Sequence, residues 1–478
     1  MSDRRVFRWA GTSARMLVGT LVAVGFVVGT VTAVAAPWPT VAREPLVVDA
    51  VPVASETVLS CVGGLLAIGR DATSAAQLSV AADQAVTAGA GEGAQAPAQT
   101  RLSASYLGGA EGAAVYTAPA SGSAATDAAA AGWAAVSAED LSGFAASECT
   151  APLMESWLVG GASTTGASDL VLLGNPGSVA ATVQLTVYGS RGAQIPPGGR
   201  NVIVPPGQQI ALPLAGLSLG EESPVLRVTA AGAPVQASLQ ASLTRTLVPG
   251  GVDQVGATAT PATDLVIAGV EVTAEPGPAG ASNAATLVRM LSPSVDTTAT
   301  VTVTAVGGGA PALAPSTLQL TAGLPAELQL GGLPVGQYVV DVRAPEAVLA
   351  AVWQTTGFGA GADFAWYTPA PELTGASMFA VPGGASASLT ITNAARTAAT
   401  VSLHAATGAF SQQVAVPAGG SVAVRLPAQG VYTLDPGGVA GVRAGLSFSG
   451  AAPGGGTALA GYPVLPVDAA AATIRVYP

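Results

Sequence analysis

Three times in this chain an alternating apolar run opens on a Thr-Val doublet, at Thr182-Val183, Thr300-Val301 and Thr400-Val401. Each doublet closes a short turn segment (Asn175–Val183, Leu291–Val301 and Thr392–Val401), and each run passes a small turn at Gly207, Gly323 or Gly419 before further strand-like stretches. The doublets are 118 and then 100 residues apart. That period is too long for a solenoid repeat or one propeller blade, and it suits a β-sandwich of about 100 residues. The clearest copy is Asp169–Gly189, where Leu170–Leu173 and Thr182–Tyr188 flank Asn175-Pro176-Gly177. Proline presets φ, glycine permits positive φ, and β-branched residues suit a pleated, half-buried surface, so the copy reads as a β-hairpin. The fold class expected is therefore mainly β, with tandem Ig-like β-sandwiches over 156–262, 263–370 and 371–478. A β-propeller with two blades per period is the competing architecture.

Composition agrees with many short strands. Half of the residues are apolar, and charged residues are only 9%, against about 25% in an average soluble protein. All 17 basic residues are arginine, a pattern that fits coding bias in a GC-rich genome. Four of them (Arg4, Arg5, Arg8, Arg15) precede the first long apolar run, which leaves 13 arginines against 27 acidic residues in the rest. An acidic body without basic clusters argues against nucleic acid, and against an anionic membrane surface, as partners.

After the basic tail 1–15, residues 16–36 run without a charge, MLVGTLVAVGFVVGTVTAVAA. About 20 apolar residues span a bilayer core of about 30 Å. Arginines on the N-terminal side leave that end cytoplasmic and the body extracytoplasmic. The run is longer than a signal-peptide core, and Trp38 stands where an interfacial aromatic anchors a helix end. A retained single-pass anchor is the reading preferred, with cleavage near Ala35 and secretion as the alternative. Residues 37–55, with four prolines between Pro37 and Pro52, read as an extended linker.

Cys61 and Cys149 are the only cysteines. In an extracytoplasmic chain they most simply pair with each other, and their separation matches no C-x-x-C redox motif. The disulfide would close a small Ala/Gly-rich region, 56–155. Within it, 86–136 has few large apolar side chains and reads in part as loop without a packed core. Ser137-Ala138-Glu139-Asp140 has capping-box spacing and reads weakly as a helix start.

The stretch Cys149–Gly177, CTAPLMESWLVGGASTTGASDLVLLGNPG, carries Cys-x-x-Pro, Trp-x-x-Gly-Gly and Leu-x-x-Asn-Pro-Gly elements. With VPPG at 204–207 and DFAWYTPAPEL at 363–373, it resembles an actinobacterial family of membrane-anchored extracytoplasmic envelope proteins of unknown function. The resemblance implies one N-terminal membrane segment and an Ala/Val/Gly-rich β body. It carries no catalytic residues over, and its members look to be encoded near a large envelope glycosyltransferase.

Enzyme chemistry has little to work with. His404 is the one histidine, on an alternating strand that turns it away from Val401 and Leu403. With no lysine, Ser-Lys dyads have no candidate. Glu221-Glu222 is an adjacent acid pair in a loop, and a glycosidase needs two acids about 5–10 Å apart across a cleft. Asp253, Asp341 and Asp363 are calcium candidates only if loops gather them, since their spacing matches no calcium motif. No catalytic, cofactor-binding or metal-binding residue and no cofactor is assigned. Aromatics do concentrate in one place: Trp353, Phe358, Phe364, Trp366 and Tyr367. They serve either as packing for an Ala/Val-rich body or as a binding surface for sugar rings or a partner's groove. Alternation of Phe364 with Trp366 on one strand face favours packing.

The expectation is a non-catalytic, membrane-anchored envelope scaffold or accessory protein, assisting a glycan-assembly or export complex. Its partners would be the membrane, through the helix, and an envelope glycosyltransferase or other membrane protein. A carbohydrate-binding array that uses the aromatics to hold cell-wall glycan is the alternative, and a cryptic hydrolase the second.

Overall fold

A computed structural model of the 478-residue chain describes residues 3–35, 48–50, 55–70, 73–74, 77–120, 125–258, 260–274, 286–357, 359–466 and 474–476. It divides into two compact units, 1–52 with 472–478, and 53–471. In the first unit a single helix, Asp3–Ala35, contains the 22-residue stretch Ala14–Ala35, long and apolar enough to cross a membrane. Thr20, Thr30 and Thr32 each donate a hydroxyl to the carbonyl four residues back, so the apolar stretch satisfies its own polar groups. Val48–Ala50 pairs antiparallel with Ile474–Val476. Trp38 and most of the proline-rich linker lie outside the described residues.

The second unit is built of two-sheet bodies. In the first repeat, Glu155–Val159, Val225–Ala231, Ala181–Gly189, Gly192–Gln194 and Val202–Val204 form one sheet. Val248–Gly256, Gln236–Arg245, Leu170–Asn175 and Gln208–Pro213 lie in the other. Val183, Leu185, Leu226 and Leu239 are fully buried in the core of this body. Alternation decides which side chains go in: along Ala181–Val187 the odd-numbered residues are buried and Thr182, Gln184 and Thr186 are not. The third repeat pairs Ser377–Val381, Gly430–Asp435, Ala399–Ala405 and Ser411–Val416 in one sheet. Its second sheet holds Ser421–Leu426, Ser386–Asn393, Val442–Ala451 and Thr457–Pro463. In the second repeat one 20-residue strand, Gly336–Thr355, serves both sheets. Its first part pairs with Ala262–Val272 and Thr297–Ala305, its last part with Thr286–Leu291 and Phe364–Tyr367.

The recurring unit is not the hairpin expected. Leu170–Asn175 pairs with Gln208–Pro213 and Gln236–Arg245, whereas Ala181–Gly189 pairs with Val225–Ala231 in the other sheet. The chain at Asn175-Pro176-Gly177 therefore crosses from sheet to sheet, as it also does between Ser386–Asn393 and Ala399–Ala405. Leu170–Asn175 is buried at every residue, and such a strand lacks the solvated face that an outer hairpin strand carries. Asn175 pins the corner: its Nδ2 donates to the carbonyls of Val179 and Val204, and its Oδ1 accepts from Gly177 N–H. Asn393 repeats this with Thr397, Val416 and Ala395. The repeat's glycine turn closes on the same corner, since Gly207 N–H donates to Asn175, Gly323 N–H to Ser292 and Gly419 N–H to Ala395.

Region 86–136 also differs from expectation. Ala85–Ala90, Ala98–Ala104, Ala110–Ala118 and Ala128–Ser137 are strands, and Ser142–Glu148 follows directly, so no helix starts at Ser137. Small side chains are what let these strands pack. Ala129, Ala131, Phe144 and Ala146 join the core of the third repeat, while Ala98–Ala104 runs parallel beside Gln208–Pro213 of the first. Compositional thinness here reflects close sheet approach, which larger residues would prevent.

Cys61 and Cys149 form a disulfide, packed with Tyr116, Ala114 and Ala130. It spans 88 residues of chain. Removing it with a Cys61→Ala/Cys149→Ala double variant is expected to lower unfolding stability by about 3 kcal/mol. Urea denaturation of both forms checks this, and equal midpoints would reject it.

Candidate functional site

Four strands, one from each body of the second unit, meet in a ring: Ser142–Glu148, Val248–Gly256, Phe364–Tyr367 and Thr457–Pro463. Each touches the next, and the last touches the first. Asp363, just before the third of them, holds the ring. Its Oδ2 accepts from the backbone N–H of Phe144 (2.9 Å) and Leu459 (3.1 Å), and its Oδ1 from that of Val252 (3.2 Å). One fully buried carboxylate thus bonds the other three strands of the ring. Gly143 and Gly251 make room for it, with φ of 150° and 127°. A Cβ on Gly143 would lie 2.6 Å from Asp363 Oδ1, and one on Gly251 2.6 Å from the Phe364 ring.

Burial pushes the Asp363 carboxyl well above the usual range, against the pull of those N–H donors. Asp253, on the neighbouring strand, accepts from Trp366 and Gln254 N–H, and burial raises it to about 7. Neither carboxylate is available for calcium, because both are turned onto the backbone; Asp341 stands in another part of the second repeat, in the field of Arg343 and Asp264. Buried amides fasten the N-terminal body to the first repeat. Gln240 both donates to and accepts from the Leu66 backbone, Gln209 donates to Val62 and Gln254 to Gly63. Residues that follow the four ring strands, among them Thr150, Leu153, Thr258, Pro369 and Pro466, line a cavity of about 450 Å³.

The aromatic concentration lies at the seam between the first and second repeats. Phe364, Trp366 and Tyr367 are buried, so they form no exposed binding surface; Phe358 lies outside the described residues. Trp353 is half-buried. Strand register sets Leu287, Trp353 and Trp366 side by side on three adjacent strands, and the core of the first repeat packs against that row. Alternating strand geometry had pointed to packing, and packing is the fate of three of the five. Arg289, two residues beyond Leu287, stacks its guanidinium 4.6 Å over Trp366. It donates to the carbonyls of Gly161, Pro224 and Glu222 and pairs with Glu327 at 2.9 Å, so all sides of a buried cation are bonded. Asp169 faces it across the seam, accepting from Ala162 and Ser242 N–H, and burial raises this carboxyl to about 7. Glu221 takes the N–H and hydroxyl of Ser190 (both 2.9 Å). His404 is half-buried on its strand, between buried Leu403 and Ala405.

Sequence reading missed Asp363 as a structural node, along with Arg289 and the three glutamines. A hint was present in Arg289, a lone charge inside the run Thr286–Leu291 that is otherwise apolar.

A mainly-β body of fused sandwiches, locked by a shared buried carboxylate and preceded by one apolar helix, defines the class of protein. The chain belongs to a family of unknown function (DUF5719), whose model matches residues 104–427. No curated protein matches it.

Proposed function

We propose that the protein is a non-catalytic, membrane-anchored scaffold or accessory subunit of the cell envelope, with its body outside the membrane and its helix retained. It would assist a membrane complex that assembles or exports glycan. The observation that carries this reading is the ring at Asp363, where one carboxylate bonds strands of the other three bodies. Asp363 and Asp253 there are turned onto backbone N–H groups, an arrangement that serves architecture. A body whose sandwiches are fastened to one another fits a part that positions other components. The acidic balance of the body favours a protein partner over an anionic lipid surface.

A detergent pull-down from native membranes tests the reading, with full-length bait beside a bait in which residues 1–36 are replaced by a cleavable export signal. A stoichiometric membrane glycosyltransferase or transporter is expected with the first bait and lost with the second. Baits that both return no stoichiometric protein partner would overturn the proposal.

A further inference from the structure

Three repeats supply the wall of the 450 Å³ cavity beyond the ring strands: Val235 and Ala237 from the first, Leu265 from the second and Leu465 from the third. Among the described residues no aromatic ring lines it, and prolines take four places, Pro369, Pro371, Pro463 and Pro466. Ser156 also lines it. That residue is 2% exposed, and its Oγ is shielded from water and has no hydrogen-bond partner among the described residues. From these features we infer that the cavity binds one aliphatic chain of a neutral lipid, with a hydroxyl or carbonyl oxygen of that lipid at Ser156.

The other polar groups of the wall are already engaged. Asp264 gives one oxygen to Arg343 and the other to Arg443, and Glu372 accepts from Gly441 N–H. Leu153 and Val235 exchange both backbone hydrogen bonds, Thr258 does the same with Trp157, and Ala370 N–H donates to Val266. Prolines carry no N–H at all. Of the hydroxyl residues only Ser156 is buried; Thr150 and Thr258 are half-buried and Thr260 is exposed. An anion would therefore meet two carboxylates and an arginine that is already paired. A sugar ring or a quaternary ammonium would find no aromatic face to rest on. A polar chain would lose water along its length, with one buried hydroxyl to compensate. An aliphatic chain meets leucine, valine and proline side chains instead, in a volume within the range of about 300–1,000 Å³ of small-molecule sites. One neutral oxygen on that chain would also relieve the cost of the unpartnered Ser156 hydroxyl.

Thr258 lies in the connection from the first repeat to the second, and Pro369 in that from the second to the third. A chain seated in the cavity touches both connections at once. This inference does not rest on the scaffold reading, because it concerns the cavity alone and needs neither the helix nor a protein partner.

The test holds full-length protein in lipid nanodiscs and irradiates it with decanol that carries a diazirine at mid-chain. Labelled peptides are mapped by mass spectrometry. In the second unit, label is expected on peptides that hold Leu153, Val235, Leu265 or Leu465. Hexanol, octanol and decanol should block it, with half-blocking free concentrations falling about 15-fold for each two added methylenes. Ser156→Ala should leave the urea midpoint unchanged or higher, since the hydroxyl has no partner to lose. The same variant should weaken blocking by decanol about fivefold and blocking by decane not at all. Filling the cavity with Ala257→Phe should remove the label, and Ser156→Ala decides the matter if that variant fails to fold. Farnesol set against dodecanol as blocker tells a prenyl source from an acyl one. Label confined to the helix, or blocking by decanol unchanged in Ser156→Ala, would overturn the inference. A failed pull-down would leave this result untouched.

Discussion

Asp363→Ala is expected to destabilise the whole second unit by about 5 kcal/mol, at the upper end of single-residue effects. The carboxylate serves three backbone N–H groups from three different bodies, those of Phe144, Val252 and Leu459. Truncation leaves all three donors buried without partners, at about 1–3 kcal/mol each. Among the described residues the carboxylate is also the only group bonding all three strands at once, so the loss should appear as one cooperative shift rather than as melting of one repeat. Asparagine should not rescue. Its amide keeps one acceptor oxygen but turns an NH₂ toward N–H groups, setting donor against donor. Urea unfolding of wild type, Asp363→Ala and Asp363→Asn, followed by limited proteolysis at the segments between repeats, measures this. A midpoint for Asp363→Ala within error of wild type would mean that the ring is held by apolar packing and that the carboxylate is incidental.

How much of this was legible beforehand differs from element to element. The period of the Thr-Val doublets marked three sandwiches, because alternation and turn chemistry are local and each repeat writes them again. The same doublets misled about connection. Asn175-Pro176-Gly177 is good chemistry for any tight reversal, and whether the chain reverses within a sheet or between sheets depends on what covers Leu170–Asn175, which lies elsewhere in the chain. The N-terminal body was underestimated for a related reason. Its alanines bury against the third repeat, more than 200 residues away, and composition alone cannot register a partner at that distance. Asp363 was the least legible of all. Its position in GADF looks like a loop acid, and only the meeting of four strands that never pair with one another turns it into the hub.

The aromatic segment shows where reading by type reaches its limit. Five aromatics within 15 residues admitted packing or binding, with alternation favouring packing, and strand register separates them. Phe364, Trp366 and Tyr367 point inward with their strand, while Trp353, one strand away, remains half-buried at the seam between the first two repeats. At that seam, Arg289 pairs with Glu327 and bonds the Gly161 and Pro224 carbonyls, tying the first two repeats together.

Stability of the second unit should fall as pH rises from 5 to 8, and Glu148 should account for a separable part of that fall. Glu148 ends the axial strand Ser142–Glu148 beside Tyr462. The residue is partly exposed, but its Oε2 is shielded from water and lacks a hydrogen-bond partner among the described residues. Burial raises this carboxyl from its ordinary 4.5 to about 8. The sign follows from proton binding. Between those two values the folded state keeps the proton and the unfolded state has lost it, so each added pH unit costs about 1.4 kcal/mol of stability. The contribution is complete below about pH 4.5 and is gone by about pH 8, a total of about 5 kcal/mol. Asp169 and Asp253, raised to about 7, act in the same direction over a shorter window, so wild type should lose stability faster than one group alone predicts. Glu148→Gln keeps the shape, removes the proton, and should flatten the pH slope by the equivalent of one proton while leaving the Asp169 and Asp253 part in place. Urea midpoints at pH 5, 6.5 and 8 for both proteins make the comparison. Parallel curves would show that Glu148 ionises without penalty, and the sealed end of that strand would then have to admit water.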